Sequence, residues 1–181
     1  RIQVNNANLM LKEKYIQPFI GVLKDTRDHG LVRRAVADCF EQTLVNDVKN
    51  HPDAQANDAL LEIAKSKTDS EALRCAAIKA VGSYAAPASL DALVQLLSDP
   101  QAMVREQAAG ALYDLLNRVA DLVLPVPAVN KLIEMVGDKK MAADLRVNVM
   151  KVLAQLIREA KGTQPRQALP VIMALVTRAE D

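Results

Sequence analysis

Between Asp91 and Leu116 the chain reads DALVQLLSDPQAMVREQAAGALYDLL, two apolar-striped stretches joined at Asp99-Pro100. With Arg105 as position zero, Val104 precedes it, and Ala108, Ala111 and Leu112 follow at three, six and seven. The same register recurs around three other arginines. Val32-Arg33 is followed by Val36, Cys39 and Phe40, and Leu73-Arg74 by Ala77, Ala80 and Val81. Leu145-Arg146 is followed by Val149, Val152 and Leu153. The arginines stand 41, 31 and 41 residues apart. Apolar residues at this spacing form one stripe along an α-helix, and a recurrence of that length marks a helical-repeat solenoid.

Each arginine-centred helix, helix B, is preceded by a second striped segment, helix A. Leu93, Val94, Leu96 and Leu97 before Asp99 match Leu132, Ile133, Met135 and Val136 before Asp138, and Phe19, Ile20, Val22 and Leu23 before Asp25. In the second repeat helix A carries Leu60, Leu61, Ile63 and Ala64, and helix B runs from about Glu71 to Tyr84. The first helix B is expected over about Leu31 to Val48 and the fourth up to about Ala160. His51-Pro52-Asp53, Pro87 and Pro125-Val126-Pro127 read as stops and fresh helix starts. A fifth helix A, Leu169 to Val176, follows without a helix B. No segment alternates with period two, so no sheet is expected.

These features resemble the HEAT repeat, in which an apolar helix A often carrying Pro leads through an Asp-containing turn to Val-Arg and an Ala-rich helix B. Leu93 to Leu112 fit most closely, and the short third repeat is similar to the variant found in phycobilisome-lyase-like proteins. Pro18 and Pro170 stand where that family tends to bend helix A. The second repeat departs from the pattern, with Lys67 at an apolar slot and a longer turn. The expected fold is all-α: a right-handed α–α superhelix of about four helix pairs plus a terminal helix. Residues 1–181 are read as one domain with repeats at about 7–48, 53–84, 87–120 and 125–160 and a partial repeat at 165–178. Because the sequence opens at Arg1 and ends on a helix A, it is expected to be a piece of a longer protein.

Half the residues are hydrophobic but only 3% are aromatic, so the core must be packed from Ala, Leu, Val, Ile and Met. A formal charge of +1 argues against binding of nucleic acid or anionic membranes driven by overall charge. Charges interrupt every apolar stripe, so no membrane span is expected. Neither a signal peptide nor a transit peptide is visible. Cys39 on the apolar stripe and Cys75 just off it read as reduced thiols serving as small packing groups, and the expected location is cytoplasmic.

Arg33, Arg74, Arg105 and Arg146 are open to two readings. One is an anion-binding ladder. The other is a structural ladder in which each arginine meets a turn acid (Asp28, Asp69, Asp99 or Asp138) and ties neighbouring turns together. The structural reading is preferred, and the resemblance implies it too. At about 100° per residue, the helix-B face opposite the core falls one, five, eight and twelve residues after each arginine. It holds Arg34, Asp38 and Glu41, then Cys75, Lys79 and Gly82. Glu106, Gly110, Tyr113 and Asn117 follow, then Val147, Lys151, Ala154 and Arg158. A face of mixed sign with one aromatic suits a protein or peptide partner better than a polyanion.

Catalysis finds little support. His29 and His51 have no second ligand at metal spacing, and Asp25, Asp28 and His29 read as a solvated turn. There is no Gly-rich phosphate loop and no GxSxG. The expected function is a non-catalytic interaction scaffold without cofactor or metal, presenting its helix-B groove to a protein or peptide. The alternative implied by the resemblance is a bilin-lyase-like or chaperone subunit acting on a phycobiliprotein.

Overall fold

The computed structural model describes residues 16–44, 54–119, 122 and 124–159. Among them lie eight α-helices and no strand. Residues 16–24 form α1. It is followed by α2 (Gly30–Leu44), α3 (Ala54–Lys65), α4 (Glu71–Tyr84), α5 (Leu90–Leu96), α6 (Ala102–Arg118), α7 (Val126–Gly137) and α8 (Ala143–Glu159). A 3₁₀ turn at Pro87–Ser89 leads into α5. Odd-numbered helices are the expected A helices and even-numbered ones the B helices. The fifth helix A, the partial repeat at 165–178, and the segments 7–15 and 45–53 lie outside the described residues.

All four B helices start in one register. In each, the arginine's amide donates to the carbonyl four residues back, on His29, Ser70, Gln101 or Ala142. The apolar stripes are buried as their spacing requires. On α3 they are Ala56, Ala59, Leu60, Ile63 and Ala64; on α6 they include Val104, Ala108, Leu112 and Leu115; on α8, Leu145, Val149, Val152, Leu153 and Leu156. Polar positions such as Asp58, Glu62 and Lys151 face water, whereas Asn57 on α3 and Gln155 on α8 are buried beside the stripes.

The chain divides into two compact units, residues 1–84 and 85–181. In the first, α4 packs against both α2 and α3. In the second, α5 packs on α6, α7 on α8, and α6 on α8. Both units therefore lay B helix directly against B helix, and the buried residues of these helices include many small ones: Ala76, Ala77 and Ala80 on α4, Ala108, Ala109 and Ala111 on α6. The missing side-chain volume is what lets the helices approach. Aromatics serve the first unit, where Phe40 meets Phe19 and Tyr84 edge-on at centroid distances of 6.2 and 6.3 Å. Ala85 follows α4 at φ 51°, a left-handed conformation that costs a residue with a Cβ roughly 1–2 kcal/mol.

The turns sort the aspartates into two kinds. Asp25, Asp99 and Asp138 each accept, at Oδ1, the amide two residues on (Arg27, Gln101 and Lys140, 2.9–3.0 Å), folding the chain away from helix A. In the second repeat Ser66 does this work, its Oγ accepting the amides of Thr68 and Asp69. Eight residues separate Asp25 from Arg33, Ser66 from Arg74, and Asp138 from Arg146, whereas Asp99 and Arg105 are only six apart. The unusual turn is thus the short third one, not a long second one. Lys67 lies exposed within its turn, beyond the end of α3, and occupies no apolar slot.

Two further expectations are corrected. Cys39 is exposed, although Ala80, Ala111 and Val152 at the same repeat position are all buried. On α2 the buried stripe turns instead through Val36, Ala37 and Phe40. Gly82, assigned to the far side of its helix, is buried.

Ala77 is fully buried in α4, which packs against α2 and α3, so Ala77→Leu has no space to enter. It should destabilise the first unit by about 2 kcal/mol in urea unfolding. Leu31→Ala, at a residue 67% exposed, should shift it by less than about 0.5 kcal/mol.

Candidate functional site

The four arginines act first within their own helix pairs. A helix leaves its last carbonyls without intrahelical donors, and the end of helix A carries negative partial charge. Arg33 Nε donates to Leu23 O at 2.9 Å, Arg74 Nε to Ala64 O at 3.1 Å, and Arg146 Nε to Val136 O at 2.9 Å. Each bond spans ten residues and joins the end of helix A to the start of helix B. In the short third turn Arg105 reaches only into its own loop. Its Nη1 donates to Asp99 O at 2.7 Å and Pro100 O at 3.0 Å, and its Nε is buried without a hydrogen bond.

Arg33 also pairs through both terminal nitrogens with the Asp69 carboxylate, and the two side chains are 5% and 15% exposed. This pair links the first repeat to the turn of the second. Asp28, in Arg33's own turn, instead accepts the His29 amide. His29 in turn accepts the Leu31 amide at Nδ1 (3.2 Å), at the start of α2.

The far-side residues fall into one group on each unit. On the first, Lys79 of α4 meets Glu41 of α2 at 3.0 Å, and Arg34 lies 3.8 Å from Asp38 one turn along α2. These four charges satisfy one another at the surface, where each pair contributes about 0–1 kcal/mol. On the second unit, Glu106, Gly110, Tyr113 and Asn117 lie along α6, with Asn117 Nδ2 donating to Tyr113 O at 3.0 Å. A Cβ at Gly110 would meet nothing within 4 Å, so there is open space one turn from the half-buried Tyr113. Lys151 and Arg158 are exposed on α8, which packs against α6.

Residues 57–146, from α3 into α8, match the family model for HEAT repeats. The chain carries a HEAT-repeat domain over part of its length. A comparison with curated proteins gave no match. HEAT repeats are generally non-catalytic, consistent with a chain that is not an enzyme. Among the described residues no group of three or more His, Cys, Asp or Glu is placed to hold a metal ion. No described helix is long and apolar enough to cross a membrane.

Val147, Lys151 and Ala154 of the far-side group on α8 border a cavity of about 580 Å³, together with Val136 of α7 and Ala143, Arg146 and Met150 of α8. Met150, four residues after the arginine and outside the aligned stripe, is a lining residue that spacing alone did not single out.

Asp25 lies beside Arg27 in the first turn, where Arg27 Nε and Nη2 donate to its carboxylate at 3.0 and 3.2 Å. The side-chain hydrogen bond from Arg27 chiefly holds its carboxyl below the ordinary 3.8, and the Arg27 amide adds to the effect. A depressed carboxylate stabilises the fold above its unfolded pKa and loses that contribution as pH falls through the folded value. In an NMR titration Asp25 should therefore protonate at lower pH than in Arg27→Ala; equal midpoints would contradict the pairing. Arg33→Ala should cost about 3 kcal/mol, because it strands the part-buried Asp69 carboxylate and the Leu23 carbonyl together. Arg33→Lys should recover less than half of that in the same unfolding experiment, since one ammonium cannot serve both acceptors as the planar fork does.

Proposed function

We propose that the protein is a protein-interaction scaffold, its helix pairs wound as a right-handed α–α superhelix, and that it takes a protein or peptide partner on the outward face of its B helices. The observation that carries this reading is the α6 surface. Tyr113 is half-buried and therefore fixed in position, and its hydroxyl has no protein partner among the described residues. The space left by Gly110 lies one turn away on the same face, with Glu106 one turn further. A half-buried tyrosine with an open shelf beside it makes a low-entropy anchor for a partner side chain. Glu106 on α6, with Lys151 and Arg158 on α8, offers both charges, which favours a partner segment of mixed sign. The charged group on the first unit (Arg34, Asp38, Glu41 and Lys79) is already paired internally and adds less. The arginine series is assigned to structure rather than to an anion, since each guanidinium donates to a backbone carbonyl at the end of helix A or in its turn.

A photo-crosslinking residue at position 113 should capture a defined partner in native extract. The same residue at Lys139, in an exposed turn, should not. Equal capture from both positions removes the assignment of this face, and transfer of a chromophore by the chain would replace the scaffold reading altogether.

A further inference from the structure

Along the far side of α6, Met103, Glu106, Gly110, Tyr113 and Asn117 are separated by three, four, three and four residues. That alternation keeps side chains in one row along a helix, and it is the spacing by which one α-helix meets another along its length. The row spans most of α6, about 21 Å. Met103 at its start is 53% exposed and Asn117 at its end is exposed, with Glu106, Gly110 and Tyr113 half-buried between them.

Three features separate this row from its counterparts. Its middle is open, because a Cβ at Gly110 would meet nothing within 4 Å, while the same position holds Asp38, Lys79 and Lys151 on the other B helices. Its carboxylate lacks a cation. Glu106 forms no ion pair among the described residues, whereas on the first unit Arg34 lies 3.8 Å from Asp38 and Lys79 meets Glu41 at 3.0 Å. Finally, α6 packs against both α5 and α8, so the row lies within the second unit and not where the described residues begin or end. A helix laid along it meets a thioether and a phenol ring on either side of the gap, and the missing Cβ lets the two backbones approach. Covering a half-buried carboxylate is costly unless a cation comes with the covering group. Leu169 to Val176, an apolar stretch outside the described residues, carries no charged residue and brings no such cation.

We propose that this row on α6 receives an amphipathic helix of the partner protein, with an apolar side chain over Gly110 and, about one turn away, a lysine or arginine paired with Glu106. The inference rests on the α6 face being the partner surface, and it adds the secondary structure and the charge of the segment that docks there. Recognition is then of the helix-in-groove kind, with the apolar side chain as anchor and the Glu106 pair setting direction and register.

The test uses synthetic peptides of about three heptads with leucine at the seam positions. One carries a lysine on the seam, a second carries glutamate in its place, and a third is the lysine peptide broken by a central proline. Binding of each labelled peptide to the 181-residue protein is read by fluorescence anisotropy. The lysine peptide should bind at least about tenfold more tightly than either of the others. Glu106→Lys should reverse the preference between the lysine and glutamate peptides. Gly110→Leu enters open space and should keep the fold by circular dichroism, yet weaken the lysine peptide at least about tenfold. Gly110→Gln repeats that arm should the leucine variant fail to fold. Equal binding of the lysine and glutamate peptides overturns the proposal, as does a preference that Glu106→Lys leaves in place. Undiminished binding by the proline peptide or by Gly110→Leu overturns it too, and so does a protein that binds none of the peptides. Capture from position 113 tests the surface itself. A partner captured there, with no preference among the peptides, leaves the scaffold reading standing and removes this inference alone.

Discussion

The fold depends on one bond repeated down the chain, a guanidinium at the fourth residue of helix B donating to a carbonyl at the end of helix A. Two antiparallel helices joined by a tight turn face a specific electrostatic problem. The last carbonyls of the first helix have no donors, yet the turn presses them toward a buried region. A lysine would supply charge without direction. Arginine supplies Nε to the carbonyl and keeps a two-pronged end free for something else, and in the first unit that end holds Asp69 of the following repeat. One side chain thus fixes the angle within a pair and the register between pairs.

The third repeat shows how far this arrangement tolerates change. Its turn is two residues shorter, so Arg105 no longer reaches the equivalent carbonyl and bonds Asp99 O and Pro100 O instead. The geometry of helix A and helix B survives because the donor still serves carbonyls near the end of the first helix. The aspartate fold of the turn survives as well, and in the second repeat a serine takes it over. Turn chemistry keeps its role from repeat to repeat while residue type and length vary.

Packing claims one side of each B helix. The alanines buried on α4 and α6 take up little volume where these helices pack against their neighbours. On α6 the opposite face carries Glu106 and Tyr113, both half-buried, and the exposed Asn117.

Period and register were legible in the sequence because a helix buries the same phase wherever its stripe recurs: the helix pairs, the B-helix starts and the buried positions around Arg74, Arg105 and Arg146 all follow from spacing. The far-side placement of Tyr113 and Lys79 follows from it too. Tertiary structure decided what spacing cannot encode. Whether Arg33 meets its own Asp28 or the distant Asp69 depends on how one pair lies on the next. Cys39 and Met150 occupy ordinary places in their helices, and their exposure depends on what lies beside them. A stripe is a property of one helix, whereas burial is a property of two.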